Sequence, residues 1–284
     1  WRAAVGRWHR WNRRHTTEVD GRSAPDRHDE YLLYQTLVGA WPLGPMGPDD
    51  AAAFTARIQA YMLKAAKEAK VHTSWINPHE AYDEAVRAFV ARVLEPSPGN
   101  RFLTDCAGFH RPIARLGMVN GLAQTLVKIT APGVPDFYQG TEVWDFSLVD
   151  PDNRRPVDFG RREALLTGLR ERIGEGDLLG LARELVERWA DGRIKLYTIH
   201  GALASRRAAP DLFRSGEYIP LSADGPAADH VCAFARRREQ QTVITVVPRL
   251  TARLTEGGAR LPLGREVWGD TRVSLPWDLP GWPY

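Results

Sequence analysis

Between Asp136 and Asp158 six carboxylates, Asp136, Glu142, Asp145, Asp150, Asp152 and Asp158, are interleaved with Phe137, Tyr138, Trp144 and Phe146 and with Gln139, Asn153, Arg154 and Arg155. That mixture suits sugars, whose hydroxyl groups want acceptors and donors in pairs and whose apolar ring face packs on aromatic side chains. Ten tryptophans in 284 residues lean the same way. Two other chemistries use the same residues. A solvated loop can hold such charges in a structural salt-bridge net, and Asp150-Pro151-Asp152-Asn153 offers oxygen ligands for calcium, although not at EF-hand spacing. A long loop of varied composition tilts toward function. Outside this segment the chain carries little recognisable chemistry. His72, His79 and His110 are isolated in sequence, no His-Glu-x-x-His pair occurs, and there is no Gly-x-Ser-x-Gly elbow, phosphate-binding loop or dinucleotide fingerprint. No cofactor and no metal are expected.

Helices dominate the elements that must position this segment. Trp1, Val5, Trp8 and Trp11 share one face of an N-terminal helix, read as a core face in preference to a membrane-surface helix. After a polar loop through Gly21–Pro25, Asp26 caps a helix that Pro42 stops. Asp49 starts a long helix with Phe54, Ile58, Tyr61, Met62 and Ala65 as its buried stripe, and Lys64, Lys67 and Lys70 suit the negative end of its dipole. Asn77-Pro78-His79-Glu80 reads as a cap, a first-turn proline and a third-position glutamate that open another helix, which Pro96–Asn100 ends. Pro112 is expected to open the next, with Leu116, Val119, Leu122, Leu126 and Ile129 inward and Pro132-Gly133 closing it.

The period then changes. Val134–Gly140 is short, aromatic and bounded by glycine, which reads as one buried strand followed by a long loop to about Gly160. Helices follow over Glu163–Ile173, Asp177–Trp189 and from Leu196 to Arg207, and short strands over Glu217–Leu221, Val231–Ala235, Thr242–Val247 and Glu266–Trp268. A lone buried strand needs neighbours to pair its backbone groups, and none is evident before Thr130. The elements alone therefore point to a sheet of which only part is present, and the first residue, Trp rather than Met, points to processing or a fragment.

Composition narrows the class. With 43% hydrophobic and 26% charged residues the chain is of ordinary globular type, and no apolar run approaches the roughly 18–20 residues of a membrane helix. An intracellular, cytoplasmic protein without a membrane or nucleic-acid partner is expected, because its 33 arginines and 5 lysines are spread along the chain rather than clustered. Cys106 and Cys232 lie far apart with no Cys-x-x-Cys, and both are expected to be reduced and buried.

Gly133-Val134-Pro135-Asp136-Phe137-Tyr138-Gln139-Gly140-Thr141-Glu142 resembles the eighth-strand motif of the α-amylase superfamily. Asp150–Phe159, His72-Thr73-Ser74-Trp75-Ile76-Asn77-Pro78 and Pro210–Tyr218 narrow the resemblance to the maltooligosyltrehalose synthase family, over about residues 1 to 275. The resemblance implies a retaining, glycosidase-type mechanism in which a carboxylate takes the terminal glucose of a maltooligosaccharide and a second carboxylate acts as acid and base. The anomeric hydroxyl of the released glucose then attacks in place of water, which turns an α-1,4 link into an α,α-1,1 link. It also implies a fold of mixed α and β: the C-terminal part of a (β/α)8 TIM barrel with a helical insertion over 1–211, then part of an antiparallel β domain over 212–284. The Asp-Pro-Asp-Asn-Arg-Arg-Pro-Val-Asp run argues against a trehalose-releasing hydrolase or a debranching enzyme.

The family's nucleophile, acid/base and third carboxylate match no position here, so no catalytic residue is assigned. The expected substrate contacts are Tyr138, Gln139 and Glu142 at the barrel mouth, Asp150, Asn153 and Arg154 along the loop, and Trp75 and Asn77 in the insertion, with His72 beside them. The expected partners are a maltooligosaccharide and the N-terminal part of the same polypeptide. The chain is expected to be inactive, and prone to aggregation, by itself. The alternative is a non-catalytic carbohydrate-binding protein that has kept the sugar-facing loop.

Overall fold

In the computed structural model, which describes residues 1–276, the N-terminal helix α1 (Arg2–Asn12) forms as its tryptophan spacing predicts. Trp8 is fully buried, edge-on to Tyr34, Phe102 and Phe109 with ring centroids 5.3, 5.5 and 5.4 Å away, and its indole N–H donates to Asp105 at 2.7 Å. The supposed polar loop that follows is a hairpin of β1 (Thr17–Val19) and β2 (Arg22–Ala24), turned at Asp20-Gly21, both with positive φ. Asp-Gly is the residue pair that such a two-residue turn favours. Asp26 then caps α2 (Arg27–Ala40), accepting from the backbone N–H groups of His28 and Asp29.

The helix α3 (Pro48–Ala69) starts one residue earlier than expected, with Pro48 in its first turn and Asp50 accepting from the Gly47 amide. Phe54, Ile58 and Met62 are buried along it. The helix α4 spans Glu80–Leu94, and its cap is His79, whose Nδ1 accepts from the Tyr82 amide. Asn77 is not the cap: its own N–H donates to Ser74 Oγ in a separate turn, which leaves His79 as the last non-helical residue. The helix α5 (Arg101–Thr130) passes straight through Pro112, which therefore does not open a helix. The backbone is already helical from Arg101, and a proline inside a helix removes one hydrogen bond without ending the helix where packing holds both sides.

The chain divides into two compact units, one made of Trp1–Ala114 with Phe146–Pro156, the other of Arg115–Asp145 with Val157–Tyr284. The first unit has a continuous apolar core from Ala4 and Trp8 through Leu37, Ile58, Phe89 and Val93 to Phe102 and Cys106. Burial, with Asp105 nearby, pushes the Cys106 thiol up to about 12. Cys232, expected to be buried, is exposed; it sits near the start of a strand of the other unit.

The second unit adds α6 (Phe159–Gly174), α7 (Leu178–Glu187), α8 (Arg193–Ala208) and α9 (Pro210–Ser215), then β3 (Glu217–Pro220), β4 (Ala223–Asp224), β5 (Val231–Arg238), β6 (Gln241–Pro248), α10 (Arg265–Trp268) and β7 (Arg272–Val273). Leu169, Leu181, Leu185 and Leu196 bring α6, α7 and α8 together around Val143. β3, β5 and β6 form an antiparallel sheet in the order β3-β5-β6, and β4 pairs with β7. Buried Arg236 of β5 donates to the carbonyls of Thr130, Phe213 and Gly216, tying the sheet to the ends of α5 and α9. Glu266–Trp268, expected to be a strand, is one helical turn, started after Gly264 and stopped at Gly269.

Val134–Tyr138 is not a strand. Val134 is 96% exposed and the segment pairs with no other strand among the described residues. Its residue types favour a strand, but a strand needs a partner edge. The structure is thus of mixed helix and sheet, with the sheets small and antiparallel. Residues 277–284, the end of the expected β domain, lie outside the described residues.

Candidate functional site

The carboxylate-rich segment is held in two different ways. Its first half, 131–145, belongs to the second unit and is clamped through backbone carbonyls. Lys128, in the last turn of α5, donates to the Asp136 carbonyl at 3.0 Å and lies 3.9 Å from the centre of the Phe137 ring. Arg206 of α8 donates to the carbonyls of Ile129 and Gly133. Arg162 of α6 donates to the Gly140 carbonyl at 2.6 Å and pairs with Glu142 at 2.9 Å. Lys195 of α8 donates to the Val143 carbonyl at 3.3 Å, and Trp144 donates from its indole to the Trp189 carbonyl at 2.6 Å. Because these donors grip the main chain, the side chains of Tyr138 and Gln139 are left facing solvent, Tyr138 at 69% exposure.

The second half, 146–156, belongs to the first unit and is held through its carboxylates. Asp152 receives Arg57 of α3 on both oxygens, at 3.0 and 2.9 Å, and the Leu148 amide at 2.7 Å. Burial works to raise the Asp152 pKa, but these hydrogen bonds and the charges of Arg57 and Arg155 outweigh it and hold the carboxyl below its ordinary value. Arg57 also donates to the Phe146 carbonyl, and Lys64, two turns along α3, donates to that of Asp150. Asp150 itself pairs with Arg154. This half is the salt-bridge net that the sequence allowed as an alternative. Arg154 and Asn153 remain exposed on it.

Trp75 and Asn77 sit between α3 and α4, both exposed. One face of the Trp75 ring meets Lys67 at 5.0 Å, while Lys67 also pairs with buried Asp83 at 3.0 Å. His72 is engaged with Asp26 at 2.8 Å and stacks on Tyr82 at 4.5 Å, and the Tyr82 hydroxyl donates to Asp29 at 2.6 Å. Burial raises the Asp29 pKa and that of Tyr82. A cavity of about 300 Å³ opens beside these groups, lined also by Asp20, Arg22, Ser23 and His79.

Of the expected contacts, Tyr138, Gln139 and Glu142 therefore fall in one unit and Asp150, Asn153, Arg154, Trp75 and Asn77 in the other. No sequence signal marked Arg57, Lys128, Arg162, Lys195 and Arg206 as clamps, and Lys64, expected only to suit the helix dipole, also holds the Asp150 carbonyl. Most lie many residues from the groups they hold; Lys128 is the nearest, eight positions before Asp136. Among the described residues no group of three or more His, Cys, Asp or Glu side chains could hold a metal ion.

No protein-family profile matches the chain. A putative maltooligosyl trehalose synthase from Mycobacterium tuberculosis (strain H37Rv) is 36% identical over 255 residues, 89% of this chain and 29% of the relative. The solved structure of maltooligosyltrehalose synthase from Arthrobacter ramosus superposes with a TM-score of 0.68 at 35% identity, over 95% of this chain and 30% of that one. The chain is similar to part of a maltooligosyl trehalose synthase. A crystal structure of another maltooligosyl trehalose synthase gives a TM-score of 0.70 at 32% identity, over 87% of this chain and again 30% of the relative. The chain thus spans less than a third of the synthases it matches.

Proposed function

We propose that this chain contributes part of the sugar-binding frame of a maltooligosyl trehalose synthase, an isomerase that converts the reducing-end α-1,4 link of a maltooligosaccharide to an α,α-1,1 link with retention. The observation that carries the reading is the loop 136–145: main-chain clamps fix it while Tyr138 and Gln139 stand exposed. A saccharide site needs that combination of a rigid backbone with free aromatic and amide groups. Similarity to the synthases over most of the chain supports the same reading.

In this proposal the segment around Val134–Tyr138 becomes the eighth strand of a (β/α)8 barrel only when neighbouring strands pair with it. That accounts for a sequence of strand type lying unpaired. The helical part over 1–211 then belongs to the barrel and its insertion, and 212–284 to a β domain. The nucleophile and the acid/base come from other parts of such a polypeptide, so the 284 residues by themselves carry out no turnover. Glu142, Asp150, Asn153 and Arg154 contact or brace the terminal sugars, and Trp75 and Asn77 approach the reducing end. Water must be kept from the glucosyl intermediate, since hydrolysis would release glucose.

The test is Tyr138→Ala together with Arg154→Ala in a polypeptide that forms trehalosyl product. Weaker oligosaccharide affinity and slower turnover are expected. Unchanged values for both variants would sink the assignment, and trehalosyl product from residues 1–284 alone would refute their inactivity.

A further inference from the structure

The start of α8 approaches the sugar-facing loop from beneath. Gly192, at φ +85°, is the residue before the helix, and a Cβ placed on it would come within 2.8 Å of the Val143 Cβ and 3.1 Å of the Trp144 amide nitrogen. Three residues on, Lys195 sends its ammonium to the Val143 carbonyl at 3.3 Å and lies 5.9 Å from the centre of the Trp144 ring. The Trp144 indole is anchored in turn on the Trp189 carbonyl, just before the same corner. Lys128 of α5 and Glu142 and Asp145 of the loop are the charged groups that face Lys195. Burial, reinforced by Lys128, lowers the Lys195 pKa, and the two carboxylates oppose that effect only in part. An ammonium kept half-buried against this resistance is a poor way to stabilise a fold, because a neutral chain of similar shape would pack there at less cost.

We propose that Lys195 is a positioning residue for the saccharide site, fixing Gly140–Asp145 through the Val143 carbonyl and the Trp144 ring so that Glu142 and Asp145 meet sugar hydroxyls. This rests on the sugar-binding reading of the loop. Gly192 is its necessary partner, since only a residue without Cβ lets Val143 and Trp144 settle on the helix start.

Lys195→Met keeps the apolar stem and removes the charge and the donor. Two readouts on a polypeptide that forms trehalosyl product separate the roles, hydrogen–deuterium exchange of 140–145 and maltohexaose affinity. Faster exchange by about tenfold, and affinity weaker by about tenfold, are expected with the thermal midpoint unchanged or higher, and Lys195→Arg should restore most of both. Gly192→Ala should speed exchange of the same amides by a different route. Unchanged exchange in Lys195→Met overturns the proposal, as does affinity lost only in step with the thermal midpoint. If exchange quickens in Lys195→Met while maltohexaose affinity stays unchanged, the sugar-binding reading of the loop fails, and the exchange rates still show that Lys195 fixes it.

Discussion

Two stretches that follow one another in sequence, 131–145 and 146–156, both carry carboxylates and aromatic rings but are held in opposite ways. In the first, cations from α5, α6 and α8 take hold of carbonyl oxygens, and the side chains of Tyr138 and Gln139 stay available. In the second, the carboxylate of Asp152 is consumed by Arg57 and the Leu148 amide, and Asp150 by Arg154. A run of acidic and aromatic residues is therefore not one kind of surface. Which atoms the neighbouring cations reach decides which of its side chains are engaged and which stay free.

The largest break in the comparison is expected from Trp8→Ala. It empties the centre of the core of the first unit and should cost about 4 kcal/mol, read from urea unfolding. Arg57→Ala comes next. It leaves Asp152 largely buried with only its weaker partners, and about 2–3 kcal/mol of stability should go, with faster exchange across 146–156. Loss of less than about 0.5 kcal/mol would show that the second loop is not held by its ion pair.

The same pair predicts a pH response. The Asp152 pKa is lowered in the folded chain, so its contribution is complete above the ordinary aspartate value of about 3.9 and disappears as pH falls through the lower folded value. The stability gap between the protein and Asp152→Asn should accordingly be constant from pH 7 to about 5 and close in stronger acid. A gap that instead widens on acidification would contradict the ion-pair account.

Glu142→Gln sharpens the contrast from the other side. Its pairing with Arg162 is half-exposed, so about 0.5 kcal/mol is expected, while Arg162 keeps the Gly140 and Asp158 carbonyls. Smallest of all in stability is Tyr138→Ala, within about 0.5 kcal/mol, because the ring is mostly solvated. Its effect should fall on maltooligosaccharide affinity, and calorimetry of the same sample can compare the two.

Much of the local structure was legible. Asp26 as a cap, the Phe54–Ile58–Met62 stripe, the break at Pro96 and the three helices after Gly160 depend on residues within a few positions of one another, and local geometry suffices to place them. The turn at Asp20-Gly21 is equally local, but the strands on either side of it are only three residues long and give no alternating pattern to frame it. Pro112 misled because a proline's preference for a first turn yields to a helix already running from Arg101. Val134–Tyr138 and Glu266–Trp268 misled because strand-forming residues become strands only where an edge is offered.

The sequence by itself determined most of the helices, the ordinary globular composition, the sugar-type mixture of side chains and the resemblance to the maltooligosyl trehalose synthases, since each is written in neighbouring residues. Tertiary structure alone decided which of those side chains are free. Arg57 meets Asp152 across 95 positions, Arg206 reaches Ile129 across 77 and Lys195 reaches Val143 across 52. Pairings at such separations follow from where packed helices bring their charges, and no local pattern encodes that.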